Sequence, residues 1–227
     1  MESPQQDRQR IKQAISIALF ALLSIWLIEG LFWLSGAERA YWGVLPRTTE
    51  GLIGLLTMPF VHGDLKHISA NSIPLVVLLA GLWYLYREIA LPVTLFSFFT
   101  PSLWVWAMAG QNWHIGASGM IFALAFFLFM SGILRKEIRT LSLSLIIAFL
   151  YGGMIWGLFP GEPGISWEGH LFGALTGVLL ALAFRKRGPQ KPDRWAYETD
   201  RPEDQYGAWN YKVLIPPPEG FQYPEEE

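Results

Sequence analysis

Three short clusters of polar residues interrupt the apolar stretches of this 227-residue chain: His67-Ile-Ser-Ala-Asn71, Gly116-Ala117-Ser118-Gly119, and Gly169-His170 followed by Gly173 and Gly177. A serine hydroxyl is a weak nucleophile until a base takes its proton, and a histidine within hydrogen-bond reach is the usual base. Ser118 and His170 are the pair on offer. Acyl transfer also needs donors aimed at the developing oxyanion. His67 and Asn71, one helical turn apart and so on one face, can supply them. The backbone N–H of Ser118 adds a third donor, and the positive end of its helix favours negative charge. No carboxylate stands within the spans at the depth needed to orient His170, so a dyad rather than a triad is expected.

These residues need elements to position them, and the composition says which. Hydrophobic residues make up 52% of the chain and aromatics 15%. The apolar residues form runs about as long as the roughly 20 residues that cross a hydrocarbon core of ~30 Å. Six spans can be drawn: Ala14–Leu34, Ile68–Tyr86, Leu91–Ala109, Ile115–Leu134, Leu141–Phe159 and Gly169–Phe184. The first is too long for the core of a signal peptide and is expected to be a retained helix. Arg87, Glu88 and a turn near Pro92 read as a tight hairpin between the second and third. An all-α integral membrane protein follows. A net charge of −2 gives no footprint for nucleic acid, and the absence of cysteine excludes disulfides, thiolate metal sites and a cysteine nucleophile.

Basic residues are retained on the cytoplasmic side of short loops. With the N-terminus inside, Arg8, Arg10, Lys12, Arg87, Arg135, Lys136, Arg139 and the seven basic residues after the last span are all internal, 14 of the 17 in the chain. Only Arg39, Arg47 and Lys66 fall outside, all in the first outer loop. The expected architecture is a six-helix bundle, N-in and C-in, over residues 13–187. It is preceded by a cytoplasmic segment, 1–12, and followed by a proline-rich, disordered cytoplasmic tail, 188–227. In the first outer loop, about 35–66, Leu52–Val61 is too short to span and reads as an interfacial or re-entrant element. In this topology the second, fourth and sixth spans all run from outside to inside. The three polar clusters then share one depth near the outer face. Gly173 and Gly177, a small-xxx-small pair, allow a close approach to the matching Gly116 and Gly119.

With these motifs in that order, the chain resembles the rhomboid intramembrane proteases over roughly Ala14 to Arg185, including Pro59-Phe60-Val61-His62 before the second helix. The resemblance implies hydrolysis of peptide bonds in or next to the transmembrane helices of protein substrates. Ser118 is then the nucleophile, His170 the general base and acid, and His67 and Asn71 part of the oxyanion hole. Two departures stand out. Where family members often carry a tyrosine one turn after the serine, this chain has Phe122, which keeps the stacking surface and loses the hydroxyl. Some bacterial members have a Trp-Arg pair in the first loop, whereas here the loop has Tyr41-Trp42 and a separate Arg47.

Taken singly, each motif has a simpler explanation. Gly, Ala and Ser at a helix start are what close packing asks for. A histidine at a helix end is commonly a hydrogen-bonded interface residue, and Asn71 could join helices. Their joint occurrence at one depth on three parallel helices favours chemistry. His62 reads as a hydrogen-bonding cap of the first loop, His114 as structural or adjacent to the site, and Glu29 as a structural partner of the loop. The spacings lack a zinc-binding helix pair, so no metal or other cofactor is expected. The expected partners are transmembrane substrates and the bilayer, with no oligomer required and, in a bacterium, placement in the cytoplasmic membrane with the site near the outer face. The competing readings are a non-catalytic rhomboid-like protein that binds client helices, and a channel or transporter.

Overall fold

The computed structural model describes residues 3–161 and 166–190, all within one compact unit, Met1–Lys191. Residues 191–227 of the expected disordered tail, 188–227, lie outside the described residues. The described chain is helical, with a single isolated antiparallel bridge, Val44 to His114. Five helical stretches are long and apolar enough to cross a membrane.

The first helix, α1 (Pro4–Ser35), begins ten residues before the apolar run because Ser3 and Gln6 form a capping box and Pro4 occupies the first turn. It ends at Gly36, which adopts the left-handed conformation. Most of the expected N-terminal segment, 1–12, is thus helical and continuous with the first apolar run from Pro4 onward. A narrow stripe of Ala14, Ala18, Ile25, Glu29 and Phe32 is buried, mainly against α3 (Leu65–Leu85). Asp64 caps α3 by accepting from the His67 N–H at 2.7 Å, which places His67 in the first turn.

Between α1 and α3 the outer loop folds into short turns. They include a 3-10 turn (Glu50–Ile53), the four-residue α2 (Gly54–Thr57) and a second 3-10 turn (Met58–Phe60). The apolar stretch from Leu52 to Val61 is therefore compact and does not span. The turn to α4 (Arg87–Met108) consists of Tyr86 alone, so Arg87, Glu88 and Pro92 lie in the helix rather than in the expected hairpin loop. Pro92 is tolerated there because polar side chains and local adjustment satisfy backbone groups freed within membrane helices.

At the centre is α5 (Ser118–Arg135), buried along most of its length and packed by α3, α4, α6 (Ile138–Tyr151) and α7 (Trp167–Ala183). The α6 helix tightens at its outer end into a 3-10 segment, Gly152–Leu158. At 17 residues α7 is apolar but shorter than the five stretches long enough to cross a membrane. It makes the most extensive helix contact in the molecule, against α5. Glycine permits this: a Cβ on Gly173 would run into the Gly119 carbonyl, and one on Gly177 into the Ala123 carbonyl.

Candidate active site

The serine sits at the end of a turn that only glycine can make. Gly116 has φ +109°, and its N–H donates to the Met58 carbonyl at 2.9 Å. Added bulk would also be excluded, because a Cβ here would lie 2.6 Å from both Cε1 and Nε2 of His67 and 3.8 Å from Nδ2 of Asn71. The expected oxyanion donors from α3 thus lie directly over the serine turn. Ser118 itself is the first residue of α5, so its N–H falls outside the intrahelical ladder and carries the partial positive charge of the helix start.

His170 is held on three sides. Ser166 caps α7 by accepting from the Gly169 N–H, fixing the turn that bears the histidine. The imidazole stacks on Phe122, with centroids 4.2 Å apart and planes 7° from parallel, so α5 supplies both the serine and the platform for the histidine. The imidazole Nδ1 lies 2.9 Å from the carbonyl oxygen of Gly157, in the 3-10 segment after α6. A carbonyl only accepts, so Nδ1 must donate, which leaves the lone pair of the neutral ring on Nε2. No hydrogen bond joins the Ser118 hydroxyl to His170 among the described residues. Catalytic bonds in empty sites are often longer than in the substrate complex.

Behind the serine lies a buried polar chain. Glu29, on α1 and 2% exposed, pairs with Arg39 at 2.8 Å and accepts from the His62 N–H. The His62 ring is fully buried, and its Nε2 accepts from the Ala117 N–H at 3.4 Å, next to the serine. Burial, and secondarily the nearby His67, hold the His62 imidazole down to about 4 against the opposing Phe60 carbonyl, so the ring is neutral at pH 7. As a neutral ring accepting at Nε2, it carries its proton on Nδ1. His62 therefore does more than cap the loop, since it braces the serine turn. His114 joins Ser166 Oγ at 2.6 Å and the Gly110 carbonyl at 3.3 Å, and burial lowers its pKa too. Its place is structural, beside the α7 cap.

Asn71 is 7% exposed, and its Nδ2 finds no partner among the described residues. An unsatisfied buried donor costs about 1–3 kcal/mol. Its position beside Gly116 suits an oxygen that arrives only with a ligand. No group of three residues suited to a metal ion occurs among the described residues.

Gly116 lies against His67 and Asn71, Gly119 against Gly169, Gly173 against Gly119 and Phe122, and Phe122 against His170, whereas Gly177 lies deeper, against Ala123. Sequence reasoning missed Gly157 and Ser166. Gly157 acts through its carbonyl, which no residue type announces. Ser166 could have been found as a polar cap one residue before an apolar helix.

A single α5–α7 junction carrying a serine and a stacked histidine, faced by polar side chains from α3, defines a class of membrane protein. Residues 49–187 match the Rhomboid domain, and the chain belongs to the rhomboid family. Uncharacterized protein Rv1337 of Mycobacterium tuberculosis is 34% identical over an alignment covering 69% of this chain and 69% of its own length. Uncharacterized protein ML1171 of Mycobacterium leprae is 31% identical, covering 83% and 78% respectively. The multi-pass membrane architecture and the family agree.

Proposed function

We propose that the chain is an intramembrane serine endopeptidase that hydrolyses peptide bonds in or near the transmembrane segments of membrane-protein substrates. The observation that carries the reading is the Nδ1 to Gly157 hydrogen bond, which leaves the basic Nε2 of His170 available. In this mechanism Nε2 takes the Ser118 proton as Oγ attacks the scissile carbonyl. The resulting oxyanion accepts from Asn71 Nδ2, the Ser118 N–H and His67. The imidazolium then gives its proton to the leaving amine. Water, deprotonated by Nε2, resolves the acyl-enzyme, and the serine regains its proton.

Six spans with both termini inside put the site near the outer face, with α7 as the sixth. The access route lies beside the outer end of α6 and its 3-10 segment, where Phe149 and Trp156 are 88% and 77% exposed. A substrate helix would have to unwind locally, since a regular helix hides its carbonyls from attack. The test is cleavage of a reporter transmembrane substrate in liposomes. Ser118→Ala and His170→Ala are each expected to lower the rate by about a thousandfold or more with folded protein recovered. Unchanged cleavage in either variant overturns the dyad. Failure of the wild type on varied substrates, with tight binding of their helices, favours the client-binding reading.

A further inference from the structure

At the other end of the bundle a groove of about 530 Å³ opens between the start of α1 and the turn joining α3 to α4. Exposed Lys12 and Arg87 form its cationic rim with the half-buried Arg10 beside them, and the buried or half-buried apolar lining is Ala14, Ile17 and the Trp83 ring. Trp83 is fixed by donating to the Thr94 hydroxyl at 3.1 Å. The extension of α1 is fixed as well, because the Tyr84 hydroxyl donates to Asp7 at 3.1 Å. The walls are thus cross-linked and hold their spacing.

The depth of this groove follows from helix length. The 32 residues of α1 extend about 48 Å, well beyond a hydrocarbon core of ~30 Å. With the apolar run from Ala14 occupying the core, residues 9–13 stand at headgroup level, and Arg87 at the first position of α4 stands beside them. Lys12 and Arg87 are exposed and form no ion pair with a carboxylate among the described residues. A cationic rim over an apolar floor, at the boundary between headgroups and acyl chains, fits a phosphate with hydrocarbon attached better than a free ion.

We infer that this groove binds one anionic phospholipid, its headgroup phosphate between Lys12 and Arg87 with Arg10 alongside, and the start of an acyl chain along Ile17 and Trp83. The inference depends on the membrane reading and not on the protease reading.

The probe is purified full-length protein in nanodiscs of phosphatidylcholine doped with phosphatidylglycerol, extracted into detergent, with retained lipid counted by native mass spectrometry. The wild type is expected to keep one phosphatidylglycerol and no phosphatidylcholine. The pair Lys12→Gln and Arg87→Gln should weaken retention by about thirtyfold. Removing the same charge elsewhere with Arg139→Gln and Lys186→Gln should leave it unchanged. Equal loss in both double variants would mean diffuse attraction and overturn the site, as would retention unaffected by either. Displacement of the lipid by millimolar inorganic phosphate would overturn the lipid as ligand in favour of a free-anion site. All four positions are exposed, so each double variant is expected to elute as folded protein.

Discussion

The outer loop and α6 invert the usual link between regularity and firmness. The loop, Ala37 to Gly63, has only short turns, yet it is bolted to the α4–α5 connection. Val44 and His114 exchange two backbone hydrogen bonds of 2.9 Å, the Arg47 N–H donates to the Trp106 carbonyl, and the Arg47 guanidinium donates to the Ala109 carbonyl at 2.8 Å. Trp106 and Gln111 return bonds to the carbonyls of Thr48 and Pro46. By contrast, α6 and its 3-10 end are regular, but only 11% of the most apolar window is buried, against 67% for α5. What holds a segment is where its polar groups and apolar area go, and an internally satisfied helix has fewer bonds to spend on neighbours.

Glycine substitutions offer the sharpest way to break this contrast. Gly54→Ala in the loop would drive a Cβ into the Gly43 backbone, and Gly173→Ala would do so at the α5–α7 contact. Neither obstacle is a flexible side-chain end, so each should cost about 3 kcal/mol or more, read as a lowered thermal midpoint in detergent. A smaller effect is expected in acid. The His62 pKa is depressed, so the unfolded chain binds its proton more readily, and the stability conferred is full above about pH 6.5 and lost as the pH falls towards 4. The loss reaches about 3 kcal/mol at most. It should be blunted by His62→Gln when midpoints at pH 7.5 and pH 5 are compared.

Gly157→Ala should act on activity instead of stability. Its Cβ would sit 3.0 Å from His170 Nδ1 and 3.3 Å from the Phe122 ring, enough to tilt the imidazole. We expect about a tenfold lower kcat with little change in KM. A wild-type kcat would show that the imidazole keeps its position despite the added Cβ. The smallest effect belongs to Gly152→Ala and Gly153→Ala, since nothing lies within 4 Å of either Cβ. Their stability should rise or fall by no more than about 1 kcal/mol. A large loss there would show that the outer end of α6 is more tightly held than its packing indicates.

The polar clusters were the most legible part of the sequence, because polar groups are costly inside a membrane and so stand out against apolar runs. Helical spacing was enough to put His67 and Asn71 on one face, now seen beside the Gly116 turn, and to put Phe122, on which His170 stacks, one turn after Ser118. Hydropathy was blind to the polar start of α1, which depends on a capping box at Ser3 and Gln6. Proline misled at Pro92, where a breaker in water is a tolerated helix residue in the bundle. The brace from Glu29 through His62 to Ala117 joins three distant stretches, and only one end of it is a side chain that spacing could have flagged.

Ser144 gives α6 a fulcrum. Its hydroxyl lies within 3.1 Å of the Leu128, Phe129 and Thr140 carbonyls, tying the inner half of α6 to α5, while among the described residues nothing lies within 4 Å of a Cβ on Gly152 or Gly153 at the outer end. Gly157 stands thirteen residues further along, a lever arm of about 20 Å. Swinging such an arm by about 10° displaces its tip by more than 3 Å, which exceeds the slack of any hydrogen bond. A rotation small enough to leave the fulcrum intact would therefore part the Gly157 carbonyl from His170.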